Sequence, residues 1–114
     1  MLTIDALQSF GVDTKDGLTR CLNNESMYLR LVAMALKDAN FDRLSAAIEA
    51  DDRKAAFEAV HALKGVAGNL GLTPIYETSA EMTELLRAEK DADYPAYLRK
   101  ILNLRETLRA LSDS

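Results

Sequence analysis

The chain has 114 residues, 48% of them hydrophobic and 28% charged, with a formal net charge of −4 at pH 7. Such a chain is most simply one domain with its own core, and its composition is ordinary for a soluble globular protein. An acidic balance without a basic cluster argues against nucleic acid, no apolar run approaches a membrane span, and one cysteine with one histidine nearly excludes an ordinary zinc site.

The pattern is helical almost throughout, with no convincing period-2 stretch. A short first helix starts with Thr3 as N-cap and ends near Gly11. A weaker segment runs from Thr14 to Leu22, with Gly17 inside it. Asn24 caps a longer helix whose inner face is expected to hold Met27, Leu31, Met34 and Ala35. Asn40 breaks or kinks it, and the apolar series resumes with Phe41, Leu44, Ala47 and Ile48. Asp51 and Asp52 open the next helix, placing negative charge where its dipole favours it. Gly71 stops that helix, and Thr73 and Pro74 are expected as N-cap and N1 of another. The stripe there is Ile75, Met82, Leu85 and Leu86. Asp93 caps the last helix, whose stripe runs from Tyr94 through Tyr97, Leu98, Ile101, Leu104 and Leu108 to Leu111.

Connections near 51, 72 and 92 are short, so successive helices should be antiparallel neighbours. The expected fold is all-α: an up-down-up-down four-helix bundle over residues 24–111, with short additional N-terminal helices over 1–23. Residues 1–114 then form a single domain, expected to be a monomer. Met27, Met34 and Met82 are expected in the core, and Cys21 as a small buried hydrophobe. Asp5 stands where a signal peptide carries lysines, so the chain is expected to be cytoplasmic.

The single histidine, His61, sits in the run His61-Ala62-Leu63-Lys64-Gly65-Val66-Ala67-Gly68-Asn69-Leu70-Gly71. On a helical wheel Leu63, Val66 and Leu70 lie about 200°, 140° and 180° from it. That opposite side, with Ala56, Ala59 and Ala67, is the core face. His61 therefore points to water. Its own side carries Lys54, Phe57, Glu58, Lys64, Gly65 and Gly68. A glycine inside a helix costs about 1 kcal/mol relative to alanine, so Gly65 and Gly68 need a reason. One and two turns beyond the histidine, they strip side chains from its surroundings and leave room for something bulky. Lys64, three residues on, is a surface neighbour and a cation for any anion attached to the ring. Phe57 is expected to face outward as a partner-docking contact.

These residues resemble the signature of the histidine-containing phosphotransfer (HPt) domain. The family pattern is a histidine, any residue, an aliphatic, lysine and glycine, then small residues, an aliphatic and a glycine. Here it stands as His61, Ala62, Leu63, Lys64, Gly65, then Val66-Ala67-Gly68-Asn69, Leu70 and Gly71. The expected helix layout and the length also fit that family. The resemblance implies a phosphocarrier of a two-component phosphorelay. His61 would accept a phosphoryl group from the aspartyl phosphate of a receiver domain and pass it to another receiver. Lys64 would help neutralise the group, and Gly65 and Gly68 would make room for the receiver's loops. The partners implied are receiver domains of response regulators or hybrid histidine kinases.

The chemistry agrees with this. Imidazole is the side chain that changes charge near neutrality, so a neutral nucleophile is at hand at pH 7. Positioning and charge neutralisation dominate phosphoryl transfer. Glu58 is the only acid near His61, and no glycine-rich nucleotide loop is present. The chain is thus expected to have no cofactor of its own and to be no enzyme in its own right. Mg²⁺ is expected in the partner receiver. The rival reading is an HPt-like scaffold or inhibitor that binds a kinase or receiver without transfer. Met1 and the early helix favour a free-standing protein over a domain of a hybrid kinase.

Overall fold

Among the described residues seven α-helices form, six of them with a capping side chain at their start. The seven are α1 (Ile4–Ser9), α2 (Thr14–Arg20), α3 (Glu25–Ala35), α4 (Ala39–Glu49), α5 (Arg53–Leu70), α6 (Thr73–Arg87) and α7 (Tyr94–Asp113). The structure, a computed structural model, describes residues 2–113, and no strand occurs among them. Thr3 accepts a hydrogen bond from the Ala6 N–H, Asn24 from Met27, Asp52 from Ala55 and Asp93 from Ala96. Each takes up an N–H that the first helical turn leaves without an internal partner.

Three expectations need correcting. The helix opened by Asn24 does break, but ahead of Asn40: α3 ends at Ala35, and Asp38 caps α4 by accepting from the Asn40 N–H at 2.7 Å. The inner face of α3 is Tyr28, Val32 and Ala35; Leu31 is 36% exposed and Met34, expected in the core, is 61% exposed. Leu72, not Thr73, is the N-cap of α6, and it makes no side-chain cap bond. The chain turns from α5 into α6 so tightly that the Leu72 N–H still bonds the Ala67 carbonyl, while the Thr73 hydroxyl bonds the carbonyl of Gly71.

Two apolar clusters form the core, and α5 contributes to both. One gathers α1, α2 and α3 around Leu7, Tyr28, Val32, Leu70 and Ile75. The other gathers Phe41 and Leu44 of α4, Val60 and Leu63 of α5, Met82 of α6 and Ile101 of α7. Helices α4, α5, α6 and α7 touch in a ring, while α5 also meets α2 and α3. α5 and α6 run antiparallel, since Gly68 lies beside Tyr76 and Phe57 beneath Arg87.

The α2 segment is clasped to the C-terminal end of α5. A Cβ on Gly17 would lie only 2.6 Å from the Leu70 carbonyl oxygen and closer still to the Tyr28 ring, so only glycine fits. The Tyr28 hydroxyl donates to the Leu70 carbonyl at 2.7 Å. The Asp13 N–H donates to the Gly71 carbonyl at 2.8 Å. Gly71 itself has φ 69°, and a Cβ there would collide with the Asp13 carbonyl. A carbonyl at a helix end is thus satisfied from outside its own helix.

Burial pushes the Tyr28 hydroxyl up to about 12, with the charges of Cys21, Asp13 and Asp16 adding to it. An unfolded tyrosine ionises near 10, so the folded state holds this proton more tightly. That stabilisation is complete below pH 10 and is lost as pH rises toward 12. Denaturant titration of Tyr28→Phe should show a loss of about 1 kcal/mol at neutral pH. The gap to the parent should narrow between pH 10 and pH 12. A gap independent of pH would mean that the hydroxyl does not stay protonated in the folded state. Gly17→Ala, measured the same way, should cost at least about 2 kcal/mol by overpacking.

Candidate functional site

Helix α5 presents one side to water because every other side is packed. Asp52 caps its start, and left-handed Gly71 ends it. Ala56, Ala59, Val60, Leu63, Ala67 and Leu70 are buried. His61, Ala62, Gly65 and Asn69 are exposed, while Lys64 and Gly68 are half-buried. The sidedness read from the wheel is therefore the sidedness of the folded helix, with Val66 half-buried at its margin and Val60 joining the core face.

The two mid-helix glycines differ from Gly17 and Gly71. A Cβ on Gly65 would meet nothing within 4 Å. One on Gly68 would make only ordinary contact, 3.7 Å, with the Tyr76 ring of α6. Neither glycine is demanded by packing or by backbone conformation. Their effect is to keep the surface beyond His61 low and open.

Phe57 is half-buried and packs on the α4–α7 cluster. The expectation of an outward-facing aromatic is corrected to this extent. Its ring meets the His61 ring edge-on, with centroids 5.6 Å apart and planes at 75°. The Arg87 guanidinium lies 5.4 Å from the centre of the same ring. Phe57 therefore fixes one side of the imidazole, since such edge contacts are weakly attractive and directional.

A groove of about 550 Å³ opens beside the histidine. Its α5 side is His61, Lys64, Gly65 and Gly68, so four of the five residues singled out in the sequence share one surface. Nothing in the spacing of the chain marks the remaining walls. Asp13, Asp16 and Arg20 come from the α2 segment, and Tyr76 and Glu77 from α6. Tyr76 is 36% exposed, an aromatic left on the surface next to a glycine. Among the described residues, no group of three or more histidine, cysteine or acidic side chains is placed to hold a metal ion.

The groove can admit a protruding loop and present it with a nucleophilic ring and a cation. It lies at the end of α5 that α2 and α6 flank. Because nothing packs against Gly65, Gly65→Ala should raise stability by up to about 1 kcal/mol, the helix-propensity difference. Thermal denaturation checks this, and a loss instead of a gain would mean that Gly65 has a structural role.

Comparison with curated proteins and with solved structures finds no match. A family model, that of the Hpt domain, matches residues 30–114. The matched stretch spans α4 to α7 and the C-terminal half of α3, and it includes every residue of the His61 motif. With an exposed histidine on a glycine-lined groove inside that match, the chain belongs to the Hpt domain family.

Proposed function

We propose that this chain is a histidine phosphocarrier of a two-component phosphorelay. In this reading it is one HPt-like domain over residues 1–114, with α4–α7 as its up-down-up-down four-helix bundle and α1–α3 as the N-terminal helices packed against it. The observation that carries the proposal is the position of His61, exposed on the groove and opposite the buried face of α5.

The transfer is a substitution at phosphorus. A neutral imidazole nitrogen of His61 attacks the phosphorus of a receiver's aspartyl phosphate. A nitrogen–phosphorus bond forms, the acyl phosphate P–O bond breaks, and the aspartate carboxylate leaves on the receiver. The reverse sequence hands the group to a second receiver. Lys64, on the groove with His61, supplies positive charge to the transferred group. Phe57 holds the ring from one side. Gly65 and Gly68 let the receiver's loops come close. The receiver contributes its own Mg²⁺, and this chain needs no cofactor. No helix among the described residues is long and apolar enough to cross a membrane; the proposed setting is the cytoplasm, where receiver domains would be met.

The test pairs the parent with His61→Gln, measuring both binding of a receiver domain and transfer from its charged form. Transfer should vanish in the variant while affinity stays within about threefold, since the lost ring is a small part of a docking surface. A variant that still takes up phosphate would contradict the proposal, and a parent that binds a receiver without ever taking up phosphate would favour a scaffold. Lys64→Ala should slow transfer about tenfold, the effect of losing one charge-neutralising contact in the transition state. Transfer at the parent rate would make Lys64 an ordinary surface charge.

A further inference from the structure

The α2 wall of the groove brings in a second cation, Arg20, that the family motif does not contain. It lies outside the matched stretch, residues 30–114. Its backbone is held by the clasp on α5: Gly17, one turn earlier on α2, lies against the Leu70 carbonyl, and the Asp13 N–H bonds the Gly71 carbonyl. Its side chain lines the same groove as His61 and Lys64. Gly65 lines the same groove, and a side chain there would have 4 Å of empty space around its first carbon.

Among the described residues, Arg20 makes one ion pair, with Asp16 at 3.1 Å one turn back on its own helix. Both side chains are about half exposed, at 55% and 47%. Exposed pairs of this kind are among the weakest. A phosphoryl group on histidine offers a nearly doubly charged anion with three acceptor oxygens. The guanidinium fork can take two of those oxygens at once, which the point charge of a lysine cannot. The acids on the same wall do not prevent this. Asp13 spends an oxygen on the Asp16 N–H at the start of α2, and Asp16 stays hydrated once its partner leaves.

We propose that Arg20 is a second arm for the phosphoryl group, held by Asp16 in the resting protein and transferred to the phosphoryl oxygens when His61 is charged. The proposal rests on the carrier reading of His61. Arg20 acts on the charged state of the carrier, and it sets how long the phosphohistidine survives and how far the transfer equilibrium lies toward this chain.

Phosphoramidate provides the test without any receiver, since its phosphoryl group passes to the imidazole with release of ammonia. The ¹⁵N-labelled full chain is treated with it, phosphorus NMR reports whether His61 is charged, and the Arg20 Nε–Hε resonance is followed in the same sample. Arg20→Gln identifies that resonance. The expected result is a charged His61 together with a displaced Arg20 signal. In Arg20→Gln the phosphohistidine lifetime should fall about threefold, the scale of an exposed charge-assisted contact. Arg20→Lys should recover part of it, and Asp16→Asn should lengthen it. A charged His61 with an unmoved Arg20 resonance and an unchanged lifetime in Arg20→Gln would overturn the second arm and leave the carrier reading intact. No phosphohistidine at all would overturn both.

Discussion

Everything in this molecule follows from the crowding of α5. Four helices, α2, α3, α4 and α6, lie against it, and it is shared by both apolar clusters. A helix with that many neighbours has little room for large side chains, and α5 meets the demand with alanine at 55, 56, 59 and 67. The apolar face is fixed in rotation by Val60, Leu63 and Leu70. Once that face is fixed, the remaining side is fixed too. His61 is exposed because its helix cannot turn without pulling Val60 and Leu63 out of the core.

The clasp at the far end of α5 adds a second constraint. Tyr28, Gly17 and Asp13 all bond or abut the last residues of the helix. They satisfy carbonyls that the helix leaves open, and they bring α2 alongside the groove. Stability and site geometry therefore share residues. The same contacts that finish α5 put the charged wall of α2 next to the histidine. Glycine serves two purposes here. Gly17 and Gly71 are required by close approach and a left-handed turn, whereas Gly65 and Gly68 are surface positions where a larger residue would fit.

The sequence made the helix starts and the histidine's surroundings legible because both depend on local chemistry. Thr3, Asn24, Asp52 and Asp93 cap helices as their side chains suggest, and Gly71 ends α5. His61, Lys64, Gly65 and Gly68 fall on one surface because helical spacing alone puts them there. The misread elements depend on partners far along the chain. In α3 nearly every position from Met27 to Leu36 is apolar, so periodicity cannot choose a face. The choice is made by the hydroxyl of Tyr28, which finds the Leu70 carbonyl 42 positions away. On α6 the buried side includes Thr78, Ser79 and Thr83, which no apolar stripe reveals. Thr78 and Thr83 turn their hydroxyls back to carbonyls one turn earlier and so can lie in the interior. The walls of the groove are hidden for the same reason: Arg20 and Tyr76 come to the groove of His61 through the fold and not through spacing in the chain.

The central claim is that His61, and no other side chain, carries the phosphoryl group. The most direct measurement is tandem mass spectrometry of the chain after exposure to a charged receiver domain, kept alkaline so that a nitrogen–phosphorus bond survives. The expected result is phosphate on His61 alone, and its disappearance on brief acid treatment. Phosphate on any other residue, or an acid-stable modification, would contradict it.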